Sequence, residues 1–324
     1  MSEVEVKIEM NAMYDPFIII ELMASNLKKT RNPLGLSNDK INTWWKGLDI
    51  PKEGETMLYT GLMYPLIPYI EFMTKKLEGY EKSFMKKFIG LAKYVPKPLF
   101  RMLFGKPISK EEKERFDNIV RTIAKLLLKA GVDYFYNPEL DIYSGILLYD
   151  LGDIDGFIQH AEYVVSRLKE AGVKKVITVD PHTTFALKEL YPKYINADLE
   201  VQTYFEVLNS ANIEATSDAS VTIHDPCFYG RYLKLSLIPR ELLKKLGVKI
   251  VDVKNSMEYT VCCGGPLESL YPTYSKQIAE RRVAELKKTG LPIIAMCPIC
   301  LANLKRGGLV AEDLSEFLAK ILLK

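Results

Sequence analysis

The sequence predicts an α/β protein built from two copies of one unit, each a mainly parallel sheet flanked by helices, behind a helical N-terminal arm. Three observations predict it. KLLLKAGVDYF at 125–135 and ELLKKLGVKIV at 241–251 both read as a helix end, a capping glycine and a buried strand. TVDPHTTFALK at 178–188 and AMCPICLANLK at 295–305 both follow strand-like runs and keep a shared Leu-Lys pair in register. Strand-like and helical patterns alternate through both halves, as in βαβ units.

The elements follow in order. The arm, 1–53, contains an NPLG turn at 32–35 and a helix expected around Trp44-Trp45. The first unit, 54–200, opens with GETMLYTGLMYPL, which aligns with ASVTIHDPCFYGR at 219–231 in the second unit, 215–324, and sets Leu62 opposite Cys227. DIYSGILL at 141–148 then lies opposite TVCCGGPL at 260–267, so Tyr143 and Ser144 stand where Cys262 and Cys263 stand. Amphipathic helices are expected at 155–171 and 273–289, followed by strands VKKVITV and LPIIAM. Asp180-Pro181-His182-Thr183 finally matches Cys297-Pro298-Ile299-Cys300. The first unit keeps the scaffold and has lost every cysteine.

At 324 residues the chain can hold two domains with cores of their own, so small size creates no need for metal staples. Charged residues make up 26% and hydrophobic ones 48%, a globular composition. A net charge of +3 with mixed signs argues against nucleic acid as a partner. The N-terminus reads as no signal peptide, and no apolar run reaches the ~18 residues of a spanning helix, so a cytoplasmic location is expected. In that reducing compartment clustered cysteines bind metal or do redox chemistry more often than they form structural disulfides.

The five cysteines are Cys227, then after 34 residues Cys262 and Cys263, then after 33 residues Cys297 and Cys300. All fall in loops expected beyond strand ends, where sites in parallel sheets form. Zinc takes four ligands and would leave one thiol idle, whereas an iron–sulfur cluster presents several irons and can use a fifth. The glycines after Cys263 let the backbone turn closely and offer amides to sulfur. Buried core thiols and a thioredoxin-like use of CPIC are the plainer readings; the latter leaves three cysteines unexplained.

HDPCFYGRY, VCCGGPLESL and MCPICLANLK make the sequence resemble the cysteine-rich CCG domain proteins. These include the heterodisulfide reductase B subunit and iron–sulfur oxidoreductases such as the anaerobic glycerol-3-phosphate dehydrogenase C subunit. The resemblance implies tandem duplicated CCG domains. It also implies one noncubane 4Fe–4S cluster on Cys227, Cys262, Cys263, Cys297 and Cys300, where such B subunits hold two clusters on two intact motifs. An electron-transfer subunit that is inactive alone is then expected, served by a ferredoxin-type iron–sulfur subunit and a flavin or dehydrogenase subunit. Similarity to E-type succinate dehydrogenase subunits keeps zinc as the alternative cofactor, in an interaction or membrane-anchoring subunit of a quinone-linked complex.

His224 is the candidate catalytic residue, as a hydrogen-bond donor or proton source to a departing thiolate; the plainer reading ends a strand there, with Asp225 capping the turn. Surface roles are expected for Arg231, Tyr232 and Glu268, and no ligand role for His182. The run 82–110 carries seven lysines, one arginine and no acid among large apolar residues. It reads as a basic insertion, 80–110, that docks a partner or lies on the inner membrane face.

Overall fold

The computed structural model describes residues 16–81 and 109–323. Most of the basic insertion, 82–108, lies outside them, as do residues 1–15. The chain is mixed α/β with two parallel sheets. The first comprises β1 (Thr56–Tyr59), β2 (Lys175–Thr178) and β3 (Glu200–Thr203), in that order. The second comprises β4 (Ser220–His224), β5 (Lys249–Ile250), β6 (Ile293–Ala295) and β7 (Glu312–Asp313), in the order β5-β4-β6-β7. The strand expected at 132–135 is reduced to one parallel bridge, Met57 to Phe135, on the outer side of β1. Counting it, both sheets have the same order, which is what a duplicated unit gives.

Local chemistry repeats as well. Asp180 and Cys297 are both N-caps in extended conformation, each followed by proline at the first helical position, heading helices Pro181–Phe185 and Pro298–Arg306. Gly145 and Gly264 both adopt left-handed backbone, at φ 79° and 90°. Thr203 with Glu206, and Asp313 with Glu316, form capping boxes on the helices after the last strand of each sheet. One pair is exchanged: the buried Asp141 carboxylate accepts from the Thr60 amide (2.9 Å) and hydroxyl, whereas at the matching positions the Thr260 hydroxyl donates 2.8 Å to the carbonyl of Asp225.

The expected helices are present as Ile154–Glu170 and as Pro272–Leu286 with a 3₁₀ extension, Lys287–Thr289. The arm supplies helix Pro16–Thr30 and the short helix Asn38–Ile41. Trp44 and Trp45 do not extend that helix but sit in a turn. Tertiary contacts override helix propensity there: Trp44 is fully buried with its ring centroid 4.4 Å from that of Tyr136.

One apolar core runs through both sheets, from Trp44, Leu58 and Phe116 to Ile223, Tyr229, Leu301 and Leu314. The Tyr64 hydroxyl donates 2.7 Å to the buried Asp313 carboxylate across the same boundary. A continuous core fixes how the two units face each other. Among the described residues no helix is long and apolar enough to cross a membrane.

Candidate metal centre

Three loops leave the carboxyl ends of strands in the second unit and bring all five cysteines together. The first, after β4, carries Asp225-Pro226-Cys227 and runs into a π-helical turn, Phe228–Tyr232. The Asp225 carboxylate pairs with Arg240 at 2.6 and 2.9 Å and accepts from the Met257 amide at 2.7 Å. Its backbone carbonyl holds Thr260. This one residue therefore ties the Cys227 loop to the segment that leads into Cys262, a larger role than capping a turn. Gly230 lies against the Met257 carbonyl, where a Cβ would collide.

In the second loop the left-handed Gly264 turns the chain back so that its own amide donates 3.3 Å to Cys262 Sγ. The Ser275 hydroxyl donates 2.8 Å to its carbonyl. A Cβ on Gly265 would strike Ile299 and stand 3.5 Å from Cys263 Sγ. In the third loop Cys297 caps helix Pro298–Arg306 and Cys300 sits in its first turn, near the positive end of the helix dipole. Cys300 Sγ is 3.3 Å from Cys263 Sγ.

The thiols share charge unequally. Hydrogen bonds from the Cys227 and Cys263 thiols outweigh burial and hold Cys262 down at about 2. Burial raises Cys297, but hydrogen bonds from Cys300 and His182, with the imidazolium charge, bring it to about 6. Cys227, Cys263 and Cys300, the donors in these bonds, are pushed up. Cys227 and Cys262 are half-buried; the other three are buried.

His224 is 1% exposed, and its Nδ1 accepts 3.1 Å from Arg282 Nε. Burial, then the Arg282 charge, depress it to about 3, so the imidazole is neutral near pH 7 with its proton on Nε2. That nitrogen has no partner. One ring nitrogen of His224 and the sulfurs of Cys263 and Cys300 lie within 4.8 Å of one another.

Arg231 and Tyr232 are exposed, in keeping with surface roles. Glu268 is not: it is 7% exposed, accepts 2.6 Å from Asn303 Nδ2, and burial lifts it to about 7. A second side chain escaped the sequence reading. His182, from the cysteine-free unit, lines the same small cleft as Cys227, Cys263, Cys297 and Cys300. Its ring centroid is 4.7 Å from that of Phe228. Burial would depress it, but the Cys297 thiolate and Asp180 outweigh that and lift it to about 10.

Five clustered thiols, an amide that donates to Cys262 Sγ and a glycine where a side chain would crowd Cys263 fit what an iron–sulfur cluster asks of a protein. Residues 221–305 match the family described as the cysteine-rich domain, CCG, so this part of the chain is a CCG domain. The chain is similar over a wider span to three larger proteins. It is 30% identical over 227 residues to the probable iron-sulfur-binding oxidoreductase FadF of Bacillus subtilis, covering 64% of this chain and 32% of that protein. It is 25% identical over 285 residues to the EtfAB:quinone oxidoreductase of Syntrophomonas wolfei, covering 83% and 39%. It is 30% identical over 224 residues to the D subunit of the dihydromethanophenazine:CoB–CoM heterodisulfide reductase of Methanosarcina mazei, covering 61% and 54%. The chain thus spans about a third to a half of these relatives.

Proposed function

We propose that the protein is an electron-transfer subunit holding one iron–sulfur cluster, of the noncubane 4Fe–4S type, on Cys227, Cys262, Cys263, Cys297 and Cys300. The observation that carries this reading is the convergence of three strand-end loops on one cleft lined by Cys227, Cys263, Cys297 and Cys300, with Cys262 next to Cys263 in the chain. The iron–sulfur and heterodisulfide names of its relatives support it. When bound, the cluster supplies one-electron relay or thiol/disulfide chemistry. The chain's own residues would hold it: Gly264 N–H donates to Cys262, the Asp225–Arg240 pair fixes two loops relative to each other, and neutral His224 brings a ring nitrogen within 4.8 Å of the Cys263 and Cys300 sulfurs. The uncharged state of His224 suits a fixed hydrogen-bond donor better than a proton carrier.

The first unit, 54–200, is read as a twin that lost its ligands, so the two units together carry one centre. A mechanism that needs two clusters requires ligands from outside these two units. A ferredoxin-type subunit and a flavin or dehydrogenase subunit are the partners proposed, with the basic segment 82–110 as their contact or a contact with the inner membrane face. The setting is cytoplasmic.

Protein purified without oxygen is expected to be brown, with about four irons and four sulfides per chain and an EPR signal in one redox state. A colourless protein with one zinc replaces this reading with the second one, a zinc-stabilised subunit. The closeness of His224 to Cys263 and Cys300 favours that alternative. Arg282 argues against it, because its buried guanidinium donates to the imidazole that zinc would polarise.

A further inference from the structure

We infer that His182, carried by the unit without cysteines, is a positioning residue for the metal centre of the other unit. It donates a hydrogen bond to Cys297 Sγ and thereby makes the centre easier to reduce. The inference rests on the iron–sulfur reading above and adds a role for the first unit.

The side chain is placed by its own unit. Asp180 caps helix Pro181–Phe185 by accepting from the amides of His182 at 2.9 Å and Thr183 at 3.0 Å. Asp180 is fully buried, so the helix start cannot drift. His182 Nδ1 has no hydrogen-bond partner and stands 3.7 Å from Asp180 Oδ1. The ring lines the same cleft as Cys297, with Nε2 the nitrogen left to face its sulfur in the proposed bond. On its other side the ring meets Phe228, the residue after Cys227, and Phe185 packs 5.1 Å from Phe228. The shared core holds this face of the first unit against the cysteine loops. Asp180, His182 and Cys297 thus meet across the boundary between the units.

Cys297 is buried, so few polar groups can reach its sulfur, and His182 brings one into its cleft. A hydrogen bond to a ligand sulfur withdraws charge from it and favours the reduced, more negative state of the centre. In the alignment His182 stands opposite Ile299, which lines the same cleft from the second unit. The unit that lost its ligands supplies the polar group, and the unit that kept them supplies the apolar one.

The test compares wild type with His182→Gln and His182→Met, side chains of similar length of which only glutamine carries an N–H donor. Each protein is purified without oxygen, assayed for iron and sulfide, and titrated electrochemically with EPR detection. The methionine variant should show a lower midpoint potential, by about tenfold in the one-electron equilibrium constant, about 59 mV, with glutamine close to wild type. Iron lost from methionine but kept by glutamine also supports the role. Equal potentials in all three, or equal shifts or equal iron loss in both variants, overturn it while leaving the iron–sulfur reading intact. Wild type without iron overturns both.

Discussion

Asp225 and Arg240 form a two-pronged ion pair inside the protein, at 2.6 and 2.9 Å, with side chains 1% and 4% exposed. Two of the three cysteine loops hang from it. Truncating Arg240 leaves the Asp225 carboxylate buried without its cation, a loss of about 3–5 kcal/mol. Arg240→Met should therefore lower stability by that amount in denaturant unfolding, and should weaken iron retention more than a mutation of equal cost elsewhere. A loss under about 1 kcal/mol would show that the pair is dispensable.

Gly265 tests the space over the thiols. Gly265→Ala has no unfavourable backbone angle to overcome, but its Cβ runs into Ile299 beside Cys263 Sγ. The expected result is a folded protein with less iron per chain. Adding Ile299→Ala removes the obstructing atoms and should restore the iron. Failure of the double variant to recover would place the defect in the backbone instead.

Metal removal should act locally. The cores of both sheets are clusters of aliphatic and aromatic side chains separate from the cluster of Cys263, Cys297 and Cys300, with Ile299 packed against all three. Chelation should therefore raise hydrogen exchange in 225–235, 257–268 and 296–303 and leave β1, β2 and β4 protected. Cooperative unfolding of the second unit on chelation is the outcome expected of structural zinc.

Asp141 should contribute a measurable pH dependence. Burial raises its carboxyl from 3.8 to about 6 despite hydrogen bonds from Thr60, Tyr136 and Gly61. A folded-state value above the unfolded one means the fold prefers the protonated acid. This contribution is complete below pH ~4 and is lost as pH rises through about 6. Its size is about 3 kcal/mol, taking ~1.4 kcal/mol per unit. Asp141→Asn should flatten stability between those values; an unchanged slope would assign it to another group.

Much of this was legible in residues alone. The shared glycine caps, the Asp-Pro and Cys-Pro helix starts and the spacing of five cysteines are local signals, and each became a turn or a helix N-terminus. The short strand at 135 was legible as a strand but not as a single bridge, because pairing length depends on the neighbouring strand. Trp44-Trp45 reads as helix by pattern and sits in a turn because burial against Tyr136 outweighs local propensity. Glu268 reads as a surface acid, and its burial against Asn303 comes from a residue 35 positions away.

The sequence by itself determined the α/β repeat, the loops that carry the thiols and the absence of cysteine before Cys227, since these rest on periodicity, turn chemistry and residue type. Only the tertiary structure decided that the cysteine-free unit faces the cysteines and brings His182 into the cleft with Cys297. That contact spans 115 residues and depends on how one continuous core fixes two sheets against each other, which no local pattern encodes.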